Sequence, residues 1–303
     1  VSADVVWVSG ADGTIIRTMD GGRTWQPRSV PGADALDFRD IEARDATTAV
    51  VMSAGAGAAS RIYRTSDGGA TWTLCYTAPD AAMFLDAMAF VDDAHGLVFS
   101  DSIDGHFVVL TTSDGGTSWA RVPADRLPPA LPGEGAFAAS GTNVAVFGTH
   151  VWIATTASRV LHSADRGQTW TVARTPLTTG EATGIFSIAF RDAAHGVVVG
   201  GAYTRETEAV DNVASTRDGS ATWQGAGERG LSGYRSVVVF TGRLGPATWL
   251  ALGPSGADRS DDDGRSWTPI GGDGHDAASI SRDGSTLFAS GSRGRVARVV
   301  LAR

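Results

Sequence analysis

The apolar residues of this 303-residue chain alternate with polar ones in short runs. Between residues 38 and 77 the runs are "FRDIEA", "TAVVMS", "RIYRT" and "WTLCYT". Alternation with period two over four to six residues predicts strands with one buried face. Asp, Gly and Ser clusters part the runs, and 39 glycines suit a chain with many tight turns. No segment keeps an apolar residue every 3.6 positions, so almost no helix is predicted.

The turns themselves repeat. The phrases are "TMDGGRTW" (18–25), "TSDGGATW" (65–72), "TSDGGTSW" (112–119), "SADRGQTW" (163–170), "TRDGSATW" (216–223) and "SDDDGRSW" (260–267). Their consensus is [ST]-x-D-x-G-x-[ST]-W, and successive tryptophans stand 47, 47, 51, 53 and 44 residues apart. Four short strands per unit of roughly 40–50 residues predict an all-β fold, a β-propeller with four-stranded antiparallel blades in one domain spanning residues 1–303. The Asp side chain is expected to accept backbone N–H groups inside the turn, and the Trp ring to pack on a neighbouring blade. Asp20, Asp67, Asp114, Asp165, Asp218 and Asp262, with Trp25, Trp72, Trp119, Trp170, Trp223 and Trp267, are therefore read as hairpin fasteners and not as catalysts.

Six turns give six blades. Only "DVVWVSG" and "GTIIRT" precede the first turn, so the innermost strand of that blade is missing or lies upstream. After the last turn, "DAASISR", "STLFASG" and "GRVARVV" read as three strands of a further blade, which the N-terminal segment is expected to complete. Seven blades are predicted, with six as the alternative.

Strand order sorts the remaining residues. With strands named A to D outward, the repeated turns join C to D and share one face with the A–B turns. The B–C loops and D–A connections share the other. That second face collects Asp101, Asp104, Glu134, Tyr203, Arg205 and Glu206. The starts of the inner strands add Arg39, Asp40, Asp86, Tyr234 and Arg235. Carboxylates, arginines and tyrosines converging at a channel mouth form the default ligand site. Asp86, Asp101 and Glu134 are the candidate catalytic carboxyls. Bland readings stand beside these: Asp101 and Asp104 as turn caps, and Arg39 and Arg235 as partners of Asp40 and Asp86 in structural ion pairs. His95 and His195 recur in "DDAHG" and "DAAHG" on the repeat-turn face, which argues for a turn role.

Net charge narrows the partners. At −8 and without a basic stripe, the chain does not read as a nucleic-acid binder. One cysteine, Cys75, excludes an intrachain disulfide and a cysteine-based zinc site, and neither a metal nor a cofactor is expected. No apolar run is long enough for a transmembrane helix. The first residue is Val1, which fits a processed secreted or periplasmic protein as well as a trimmed chain. A monomer is expected.

The repeated phrase resembles the Asp-box, or bacterial neuraminidase repeat, of sialidases and other propeller glycoside hydrolases. "GTIIRTMDGGRTW" resembles more closely the photosystem II stability and assembly factor family, a seven-bladed propeller. "FLDAMAFVDDAHGLVFSDSIDGHF", "LPGEGAFAASGT" and "GYRSVVV" look like that family's non-photosynthetic bacterial branch. The resemblance spans essentially the whole chain and implies a non-catalytic scaffold that binds a protein or peptide partner on the face opposite the Asp-boxes. The alternative is a glycan-processing hydrolase using paired carboxylates at the channel mouth, and a third reading is a glycan- or ion-binding module. Sialidases also carry an Arg-Ile-Pro-type motif ahead of the first box, which this chain lacks.

Overall fold

The structure, a computed structural model, describes residues 2–302. They form a seven-bladed β-propeller: seven antiparallel sheets succeed one another along the chain, five of four strands and two of three. Among the described residues the only helical segments are four three-residue 3₁₀ turns. The chain divides into two compact units. The first runs to Gly133 and adds Ser281–Asp283, and the second holds Glu134–Ile280 and the residues from Gly284 onward.

The first unit carries blades I to III and the second blades IV to VII. Blade II is typical: Asp37–Ala43, Ala49–Ala54, Arg61–Thr65 and Thr73–Thr77 pair in sequence order as strands A to D. Blade I has Val6–Ser9, Ile15–Thr18 and Gln26–Pro27, with the repeated turn between the last two. Blade VII has Ala277–Ile280, Thr286–Gly291 and Arg295–Val300 and no repeated turn. Seven sheets result, but the N-terminal segment does not complete the last of them among the described residues. Val6 pairs with Thr18, at the first repeated turn, so this segment is committed to its own hairpin.

The repeated turns owe their shape to one set of hydrogen bonds. In the second, Thr65 donates its hydroxyl to Asp67 Oδ1 (2.8 Å) and accepts the Gly69 N–H (2.9 Å). Thr71 gives its N–H to Asp67 Oδ1 (2.9 Å) and its hydroxyl to Oδ2 (2.6 Å). The same four bonds recur around Asp20, Asp114, Asp165, Asp218 and Asp262. Hydroxyl and backbone donors favour the ionised carboxylate and hold Asp20, Asp67 and Asp114 at about 2. Gly68 and Gly69 both sit at positive φ, +76° and +77°, where a side chain would be strained.

Packing follows the turns. Trp72 reaches back to blade I, meeting Trp7 edge-on at 6.2 Å and donating Nε1–H to the Arg28 carbonyl at 2.8 Å. Trp223 joins Trp152, Ile188 and Val198 in a core layer of blades IV and V, and Trp267 joins Val199 and Trp249 in the next. Of the six turn tryptophans, Trp223 and Trp267 are buried and the other four are half-buried.

Candidate functional site

In an antiparallel meander, D–A connections and B–C loops share one end of a blade, and repeated turns and A–B turns share the other. At the connection end of blades IV to VI, four aromatic rings come together. Phe137, in the connection into blade IV, stacks on Phe186 with centroids 3.9 Å apart and planes within 2°. Tyr203, in the B–C loop of blade V, stands edge-on to both, at 6.3 and 6.0 Å. Tyr234, before strand A of blade VI, meets Phe186 edge-on at 4.7 Å. Edge-to-face and stacked pairs at these distances are favourable beyond the area they bury. Phe186 and Tyr234 are buried, Phe137 is half-buried, and Tyr203 is 47% exposed.

Backbone features put each ring in place. Strand A of blade V (Thr183–Phe190) carries a bulge between Ile185 and Ser187, so Phe186 is an extra residue without a partner in strand B. Bulges re-aim side chains in this way. Arg39 and Asp86 occupy the same bulge in blades II and III. Glycines clear the space: a Cβ on Gly184 would stand 3.1 Å from the Phe137 ring, and one on Gly200 only 1.9 Å from the Gly184 carbonyl oxygen. Tyr203 donates its N–H to Ala182 O (3.1 Å), and Tyr234 to Glu206 O (2.8 Å). Asn212 holds the Leu231 and Gly233 carbonyls with its Nδ2 at 3.2 and 2.9 Å.

Two buried ion pairs lie in the same unit. Arg235 is 2% exposed; its Nε donates to Asp258 Oδ2 (2.7 Å), and its Nη atoms donate to Tyr234 O, Ser255 Oγ and Ser232 Oγ. Glu134 accepts the Thr155 hydroxyl (2.6 Å) and Arg159 Nε (2.8 Å) on Oε1, and Arg159 Nη2 on Oε2. Sequence reasoning missed both partners. Asp258 and Arg159 lie within short strands and read there as ordinary polar positions.

The other sequence candidates lie in the first unit. Arg39 pairs with Asp37, its Nε 2.7 Å from Oδ2. Arg235 is thus partnered by Asp258, from strand C of its own blade, and not by Asp40 or Asp86 as expected. Asp40 accepts the Met88 N–H at 2.7 Å, and Asp86 is fully buried. Asp101 lies near the end of strand B of blade III (Gly96–Ile103). Asp104 and Gly105, at φ +52° and +77°, turn that strand into the next. Of the nine candidate ligand residues, then, Tyr203, Tyr234 and Arg235 are gathered around the aromatic rings. Asp92 and Asp192 each accept two backbone N–H groups and contact the ring of His95 or His195, the turn role read from sequence.

Glu42, two residues after Asp40 on the same strand face, was not anticipated. It borders a cleft of about 190 Å3 with Arg44, Phe90, Asp92, Asp93 and Arg282. Although part of its surface stays accessible, burial pushes the Glu42 carboxyl up to about 7, against the pull of Arg282. Burial, then the Glu42 charge, raises Asp40 as well. A carboxyl that binds its proton more tightly when folded stabilises the fold fully below its unfolded pKa of 4.5, and that contribution is lost as pH rises through about 7. The expected result is that Glu42→Gln raises Tm by several degrees at pH 8 and much less at pH 5. Thermal unfolding at the two pH values checks it.

No family model matches the chain, and no curated protein matches it. Solved structures do. The chain is similar to YCF48 from Cyanidioschyzon merolae at 16% identity and a TM-score of 0.68, with 98% of this chain and 92% of that one covered. It is similar to YCF48 bound to D1 peptide at 15% identity and 0.65, with 98% and 88% covered. An ancestral GH74 enzyme matches at 15% identity and 0.66, over 95% of this chain but 42% of that one. At these identities the likeness shows a fold, the β-propeller.

Proposed function

We propose that this chain is a non-catalytic Asp-box propeller that binds a protein or peptide partner through the blade ends opposite the repeated turns. One observation carries the reading: a half-open aromatic platform, Phe137, Phe186, Tyr203 and Tyr234, set on rigid strand ends and glycine contacts. Exposed aromatic rings on a preformed surface contribute much binding energy at little entropic cost. The peptide-bound YCF48 structure supports a peptide partner on this fold.

The hydrolase alternative needs two carboxyls facing each other across an open cleft. Asp86 has no exposed surface, and the Glu134 carboxyl is enclosed with Arg159. Neither arrangement favours proton transfer to a glycan.

The test is panning of a displayed linear-peptide library against the wild type and Tyr203→Ala. The expected result is enrichment on the wild type and a loss of roughly 30-fold in affinity for the selected peptides on the variant. A screen of chromogenic glycosides runs beside it, and turnover that Asp101→Asn abolishes would overturn the reading.

A further inference from the structure

The platform has an acidic border. Glu206 is exposed in the Tyr203 loop, and its carbonyl is pinned by the Tyr234 N–H (2.8 Å) and the Ser255 hydroxyl (3.1 Å). Asp276 is fixed from three sides. Its carbonyl accepts the Ser236 hydroxyl (2.7 Å), its N–H bonds to Ser290 O (2.8 Å), and Oδ2 accepts the Ser292 N–H (3.1 Å). Both carboxylates stand close enough to Tyr234 that, after burial, they are the main forces pushing its hydroxyl above the ordinary range. Glu181, exposed, adjoins Ala182, whose carbonyl receives the Tyr203 N–H.

The cations nearest Tyr203 and Tyr234 are engaged, while on the Asp276 side Arg293 is exposed and Arg295 donates to the Gly274 carbonyl. Arg235 is buried against Asp258, and Arg205 pairs with Glu208 at 2.7 Å. Near Tyr203 the chain therefore carries Glu181, Glu206 and Glu208 against Arg205, an acidic excess beside one accessible aromatic ring. The ring faces add to it, because an aromatic quadrupole is negative above and below the plane. A guanidinium or ammonium over such a ring gains from the ring and from the carboxylates together. An acidic side chain would meet like charge.

We infer that the occupant of this platform is a linear peptide segment presenting an arginine or lysine side chain, held over the exposed Tyr203 ring between the Glu206 and Asp276 carboxylates. The inference rests on the peptide-binding reading and narrows it to one chemistry. The apolar stem of the cationic side chain lies along Phe137, while its head stays beside the acidic border, as long basic side chains commonly do.

The test uses the whole chain and immobilised hexapeptide libraries, each fixed at one position to Arg, Lys, norleucine or Glu. The expected result is retention of the Arg and Lys sets over norleucine and Glu by roughly tenfold, falling as salt rises from 0.05 to about 0.5 M. Glu206→Gln with Asp276→Asn should compress that preference to about threefold or less while leaving residual binding. Tyr203→Phe should keep it, and Tyr203→Leu should lose it, a distinction that apolar contact alone would not make. Hexapeptides retained through Tyr203 without preference for Arg or Lys would overturn the inference and leave the peptide-binding reading standing. No retention above an unrelated control protein would overturn both.

Discussion

Asp258→Ala lowers the unfolding free energy by about 3–5 kcal/mol, because it leaves the Arg235 guanidinium buried without its counter-charge. The pair is 2% and 0% exposed at the side chains, so water cannot take the place of the carboxylate. Arg235→Met combined with Asp258→Leu removes both charges and costs far less, since desolvation offsets much of what a buried pair gains. Urea unfolding followed by tryptophan fluorescence measures both. An Asp258→Ala protein within 1 kcal/mol of the wild type would mean that Ser232 and Ser255 satisfy the arginine unaided. The pair also matters to the platform. Arg235 donates to the Tyr234 carbonyl at 2.8 Å, so Asp258→Ala should also broaden the Tyr234 ring signals in an aromatic NMR spectrum.

Glu134→Gln is the second large effect, expected at about 3 kcal/mol. The substitution keeps the shape of the side chain and removes its charge, leaving Arg159 with a neutral acceptor in a site where the two side chains are 9% and 0% exposed. For a 303-residue chain, at about 2.1 cal/mol/K of unfolding entropy per residue, the loss corresponds to a fall in Tm of roughly 5 °C. Adding Arg159→Met should restore much of it. A proton donor would behave differently: the amide would abolish turnover and leave Tm nearly unchanged. Calorimetry of the single and double variants separates a strut from an acid.

The architecture was legible because it rests on local chemistry. A Thr or Ser, an Asp and a Thr or Ser two and four residues apart close each turn by themselves, and the alternation between turns needs no knowledge of what packs on it. The platform was only half legible. Tyr203 stood out as an aromatic residue in a loop, and Tyr234 as one at the start of an inner strand. Phe137 and Phe186 did not, since a Phe in "GIFSIAF" reads as core, and only the bulge opposite Gly200 re-aims it. Aligning "FLDAMAF" with "GIFSIAF" on the last Phe would have placed Phe186 level with Asp86, a position already singled out. The ion partners were hidden for a related reason. Asp258 faces Ala251 across a strand pair, and nothing along "GADRS" signals that an arginine more than twenty residues earlier will fold against it. Glu42 lies in an alternating strand, and its carboxyl is raised by burial beside blade III neighbours such as Phe90, against the pull of Arg282, which no local pattern signals.

The fastening of blades I to VI is completed within eight residues at one end, and the platform's loop lies at the other end of blade V. That separation makes the loop between Tyr203 and Val210 a cassette. All eight residues are exposed, and buried Ala202 and Asn212 anchor its flanks. A new sequence spliced between those anchors should change what the surface recognises while the hairpins hold as before, which makes this propeller a chassis for engineered recognition.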